Sequence, residues 1–375
     1  MKLITLISLI VLLILSSCTH DELSLPNIPP AEEQSSSYED PEYVQLNPPL
    51  DAANGYNFNQ PSGIYYGIDN FLYIADTDNN RIVMMDAGGT IQGVSQFIEH
   101  PEAITQNDSL QLLVVNKTNR VFRIKLFEYN HQIGSAPIDT VFTQASRPAR
   151  QFTGITVYNG FEYYVTVMEE NSTQLRSFIY DFWPDHKLKG PLPFEENGSG
   201  LFSVLKPTAI VSVRERYLDI SSNAEDTKAF LFCQTGFSNE FGFQSYYKVQ
   251  SIATTLFEGQ EILIPNTILI GTDIYDFEKY YNPQDITIDR SGFVFVVDAG
   301  PDTSQVQNSP YQPGFYRFAP SGKQQQAVLG LGSGEAKFNN PGGIAVSPIA
   351  EVDQIVYVAD KGNNRILLFQ LSSEL

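Results

Sequence analysis

The stretch "DTDNNRIVMM" from Asp76 begins with residue types that could hold a cation, because Asp76, Asp78 and Asn79 all offer side-chain oxygens at calcium-loop spacing. The chemistry is not completed. No glutamate closes the loop, and a second copy of the stretch, "DKGNNRILLF" from Asp360, has Gly362 where Asp78 stands. A pattern written twice in one chain points to a structural corner. Asp accepts turn N–H groups, Asn tolerates left-handed backbone angles, and Arg81 or Arg365 then faces the aspartate that opens its own turn.

Other chemistry-bearing residues are sparse. The four histidines, His20, His100, His131 and His186, share no short metal-ligand spacing. Of the two cysteines, Cys233 lies in the apolar run "AFLFCQ" and reads as a buried strand residue. No nucleophile elbow, phosphate loop or CxxC is present. The net charge of −20, from 43 acidic and 23 basic residues, opposes binding to nucleic acid.

Cys18 belongs to a different chemistry. "MKLITLISLIVLLILSSC" joins Lys2 to an apolar run too short to span a membrane comfortably, then to small residues and a cysteine. This resembles a bacterial lipobox and implies lipidation at Cys18. Residues 1–17 are then a signal peptide, and 18–42 a flexible stem rich in acid, Pro and Ser. Asp21 and Glu22 resemble a surface-export signal of some Gram-negative lipoproteins. The expected location is the outer membrane, facing the periplasm or the cell surface, with the lipid as the sole membrane contact.

The rest of the chain, 43–375, supplies the elements that must position any site. Six copies of a short motif recur: Gly63-Ile64, Ala103-Ile104, Gly154-Ile155, Ala209-Ile210, Asp285-Ile286 and Gly343-Ile344. Five follow a proline closely, and each precedes a β-branched, aromatic run such as "FLYIAD" or "QIVYVAD". Repeats of three or four strands with no long amphipathic helix predict an all-β, six-bladed β-propeller. Its crowded inner strands would demand the small residue before each Ile. Seven blades is the alternative, given the long interval between Ile210 and Ile286. "YVQLN" from Tyr43 is the expected closing strand, because the last unit ends after its third.

"PSGI", "YIADTDNNRI" and "YVADKGNNRI" resemble NHL repeats, which implies the six-bladed form. Lactonase-type propellers of similar build hold a divalent cation at the channel mouth through Glu, Asn and Asp. At that depth this chain offers Ser62, Glu102, Thr153, Thr208, Gln284 and Gly342, with Asp285 adjacent. Amidating-lyase propellers use three histidines on zinc, and the histidines here show no such grouping. Two carboxylates make a poor cage, so the sequence favours a non-catalytic module, with no cofactor, metal or catalytic residue assigned. Its expected partner is a protein or glycan at the envelope, and its expected state is monomeric. The expected ligand contacts are Glu102, Asp285, Gln284 and Thr208 at the mouth, with Trp183, Phe237 and Tyr311 on long loops of the same face. A metal-dependent lactonase, hydrolase or lyase at the mouth is the alternative. Of these expectations, anchoring is tested most directly: Cys18→Ala should leave the membrane fraction or remain unprocessed, as read by fractionation and intact mass.

Overall fold

In the computed structural model the described residues are 41–171, 174–196, 200–214, 227–238, 243–244, 247–301, 309–348 and 354–372. Cys18, the stem and His20 lie outside them. Among the described residues no helix is long and apolar enough to cross a membrane.

Six four-stranded antiparallel sheets form the six blades of a β-propeller. Their first strands, Pro61–Tyr66, Ala103–Gln106, Gln151–Tyr158, Pro207–Ser212, Pro283–Ile288 and Gly343–Val346, neighbour one another in a closed ring around the axis. The second strands are short, apolar and wholly buried in blades one, four, five and six. Each apolar face packs against the next blade. Ile74 and Val83 of blade one, for example, share a cluster with Tyr357 and Ile366 of blade six.

Close approach of the inner strands explains the small residue before each Ile. A Cβ on Gly63 would run into the carbonyl oxygen of Glu102, and one on Gly343 into that of Ser62. The interval that raised the seven-blade alternative belongs to blade four. It includes a two-stranded hairpin, Phe237–Ser238 with Phe243–Gln244, outside the main sheet.

Blade six takes its outer strand from the start of the domain, as the repeat predicts. Tyr43–Leu50 pairs antiparallel with Arg365–Leu371, setting Tyr43 opposite Leu371 and Gln45 opposite Phe369. Tyr43 is buried, with its ring edge-on to Phe315 of blade five at 5.3 Å.

The repeated corner is the same device in both copies. Asn80 and Asn364 take left-handed φ values of 57° and 55°. Arg81 Nε and Arg365 Nε each donate to the Oδ2 of Asp76 and Asp360 at 2.7 Å. Asn79 and Asn363 donate to the same oxygens at 2.8 and 2.7 Å. The other oxygen accepts a backbone N–H from the segment entering the blade, Asn59 at 2.8 Å or Asn339 at 2.7 Å. No oxygen is left for a cation. The copies differ in depth. Arg365 is 8% exposed and also donates to the carbonyls of Ser333, Gly334 and Lys337, whereas Arg81 is 33% exposed and reaches only Asn57 at 3.3 Å. Both aspartates are fully buried, so the copies differ in the guanidinium. Arg365→Ala should cost about 3 kcal/mol and Arg81→Ala about 1 kcal/mol in urea unfolding, because only the former also strips three carbonyls of their donor and leaves its carboxylate out of reach of water. Equal costs would show that depth does not matter here.

Candidate functional site

The six first strands enclose a central cavity of about 360 Å³, within the range of small-molecule sites. Ile64, Ile104, Ile155, Ile210, Ile286 and Ile344 give it an apolar waist. The polar residues expected at the mouth surround one end, on the face of the second-to-third-strand corners.

Most of these polar groups are engaged between blades. Thr153 Oγ1 donates to the Pro207 carbonyl at 2.7 Å, and Thr208 Oγ1 to that of Pro283 at 2.9 Å. Ser62 Oγ lies 2.6 Å from Thr77 Oγ1, which donates to Pro101 at 2.8 Å. Gln284 Nε2 donates to Asn282 Oδ1 at 2.7 Å. Of the neutral residues, then, Thr208 has its donor committed to the ring, and Gln284 has its amide group turned to the link.

Asp285 is the exception in the repeat. It stands where the other five copies have Gly or Ala, and it inserts a carboxyl group between blades five and six. Oδ1 accepts the Ile286 N–H at 2.9 Å and Oδ2 the Ile344 N–H at 3.0 Å. The residue is half-buried and lines the central cavity. Burial pushes its pKa up to about 7, against the pull of the two N–H groups. An acid poised there can hold or release a proton near neutrality.

Three lysines and a glutamate at the mouth escape the sequence reading. Lys117 pairs with Glu102 at 3.0 Å, and Lys206 with Glu170 at 2.8 Å. Lys361 lies partly buried beside Gly342, and desolvation lowers its pKa. A signal for two of them exists: Lys117 and Lys361 each follow the residue that ends a second strand, Asn116 and Asp360.

A divalent cation does not fit this set. Among the described residues no three His, Cys, Asp or Glu side chains converge. Asp285 already holds one N–H on each oxygen and Glu102 is tied to a lysine, so these two carboxylates leave too few free oxygens to make a cage for a divalent cation. The histidines are scattered: His100 lies 3.3 Å from Asp78, His131 lies 3.5 Å from Asp69, and His186 lies between Tyr163 and Arg123.

Trp183 and Tyr311 do not line this mouth. Trp183 follows the third strand of blade three, so it emerges on the opposite face from the corners. There it covers Lys189, whose Nζ is 4.3 Å from the ring and also contacts Glu162 and Asp181. This corrects its expected place. Tyr311 packs on Tyr281 at 5.4 Å beside blade five. The side chain of Phe237 lies outside the described residues.

No family model matches the sequence, and no curated protein sequence matches it either. Solved structures with a similar fold include a gluconolactonase from Xanthomonas campestris, with TM-score 0.54, 10% identity, and 88% of this chain and 97% of that one covered. A luciferin-regenerating enzyme matches with TM-score 0.55 and 12% identity over 88% and 95% of the two chains. Regucalcin from Agrobacterium tumefaciens, a calcium-binding protein, matches with TM-score 0.52 and 10% identity over 88% and 93%.

Two of these three propellers are enzymes by name. On that finding the expectation of a non-catalytic binding module, and the leaning against an enzyme, are corrected. Identities this low establish the shared six-bladed fold.

The raised Asp285 pKa gives a signed pH effect. Its carboxyl group, with an ordinary value of 3.8, keeps its proton in the folded chain up to about pH 7. Between those limits the folded state binds more protons than the unfolded one, so this group's contribution to stability falls as pH rises and then levels off. Asp285→Asn should gain on the wild type between pH 5 and pH 8 by roughly 2–3 kcal/mol in denaturant unfolding. A constant difference across that range would mean that Asp285 titrates elsewhere.

Proposed function

We propose that the chain is a hydrolase of the lactonase type, opening a small cyclic ester at the corner-face mouth of its channel without a resident divalent cation. The observation that carries this is Asp285, a carboxyl group poised near neutrality in a walled cavity with lysines at its rim. The gluconolactonase of similar fold supports the reaction class, and the luciferin-regenerating enzyme supports an enzymatic role.

The roles follow from charge. In its ionised form Asp285 takes a proton from water as the water oxygen bonds to the acyl carbon, and the carbonyl π pair moves onto its oxygen. The Lys361 ammonium offsets the negative charge that develops there. When the carbonyl re-forms, the ring C–O bond breaks and the departing oxygen takes the proton back from Asp285. One water is consumed, and one hydroxy acid is released. We propose further that the domain is of the NHL type, exported and held at the outer membrane by lipid on Cys18. The "N-x-R" corners and the lipobox-like leader support that part.

A pH-stat survey of lactones and simple esters tests the activity. Hydrolysis should rise through about pH 7, persist in EDTA, and fall by about 10²–10⁴-fold in Asp285→Asn. No turnover across the panel, or full activity in the variant, would sink the proposal.

A further inference from the structure

The channel mouth concentrates cations on a protein that has few. Acidic residues outnumber basic ones 43 to 23 over the whole chain, yet Lys117, Lys206 and Lys361 line this one opening. Glu102, Glu170 and Asp285 line the mouth with them and Asp78 acts on Lys361 from its edge, so the mouth is close to balanced in a molecule of net charge −20. Near neutrality Asp285 carries only part of its charge, which brings the local balance nearer to zero.

The three lysines are not equivalent. Lys117 and Lys206 are answered by Glu102 and Glu170 within the protein. Lys361 is not: among the described residues no hydrogen bond or ion pair holds its ammonium, which feels Glu102, Lys117 and Asp78 only through space. Its corner sets it partly buried against the inner strand at Gly342. Withdrawing an ammonium from water without a counter-ion is unfavourable, and that cost is recovered when an anion arrives. A mouth walled by protein also strengthens the attraction relative to an open surface.

We infer that the mouth selects a substrate carrying its own anionic group, a carboxylate or a phosphate, which docks on Lys361 beside the ester to be cleaved. The inference rests on the hydrolase reading for the ester and adds the charge that reading leaves open. It follows that a neutral lactone, which leaves Lys361 without a counter-ion, would bind less tightly than an acidic one.

The test is calorimetric binding to the full-length protein, with ligands that cannot be hydrolysed as lactones: D-glucuronate, glucose 6-phosphate and glucose. At least one anion should bind about tenfold or more tightly than glucose, with the advantage shrinking at high salt. Lys361→Met should abolish the advantage, and Lys361→Arg should keep most of it. Glucuronate binding alone assigns the carboxylate, and glucose 6-phosphate binding alone assigns the phosphate. Equal affinity for all three, no binding of either anion, or an unchanged preference in Lys361→Met would overturn the inference. The two proposals fail separately. Hydrolysis of neutral and acidic lactones with equal kcat/KM upholds the activity and removes the anion selectivity, whereas anion binding with no hydrolysis does the reverse.

Discussion

A buried polar side chain at the end of a blade's second strand captures the segment that enters that blade, and the rest of the structure depends on it. Asp76 and Asp360 accept backbone N–H groups from Asn59 and Asn339. Asp298 accepts those of Tyr281 and Asn282 at 2.7 and 2.9 Å, and Gln234 that of Leu205 at 2.7 Å. Asn116 inverts the polarity, donating to the Glu99 carbonyl at 2.8 Å. Blade three substitutes an ion pair, Arg150 with Glu169 at 2.9 Å, both buried. Each is a costly group to bury unless its partner is present, so each fixes where the incoming chain must pass. That path delivers the next first strand to the axis at one height. The mouth residues fall on one ring for this reason.

The inner ring imposes the opposite demand. Its strands approach so closely that Gly63 and Gly343 leave no room for a side chain. A carboxyl group at the matching place in blade five is accommodated because Asp285 turns it into a bridge to Ile344. The same crowding that makes the position small elsewhere removes water from this carboxyl group and raises its proton affinity. Structural economy and the candidate chemistry have one origin.

The sequence showed the architecture well, because repeats carry it. The Gly-Ile or Ala-Ile pairs, the prolines before them and the twin "NNR" corners located the blades, and Tyr43 as the closing strand was legible from a last unit that stopped short. Glu102 and Asp285 were also legible as mouth residues. The lysines were missed because their relevance lies in register with a strand end, and nothing in Lys117 or Lys361 marks that by itself. Trp183 was misplaced for a related reason. A long link looks uniform in sequence, but strand pairing from Leu188 to Pro191 divides it and sends its start to the other face.

Blade six joins the two ends of the domain. The Glu42 N–H donates to Ser372 Oγ at 3.0 Å, and the Ser372 N–H returns to the Glu42 carbonyl at 2.7 Å, across 330 residues. Until those ends meet, the blades form an open arc with two unpaired edges, a state prone to wrong pairing. A pairing of such sequence separation carries a large loop-closure entropy and is the kind of contact that slows folding. Closure also completes the wall of the central cavity, which Asp285, bridged to Ile344, lines. The first strand laid against the last thus seals the ring around a carboxyl group whose burial between blades five and six raises its proton affinity.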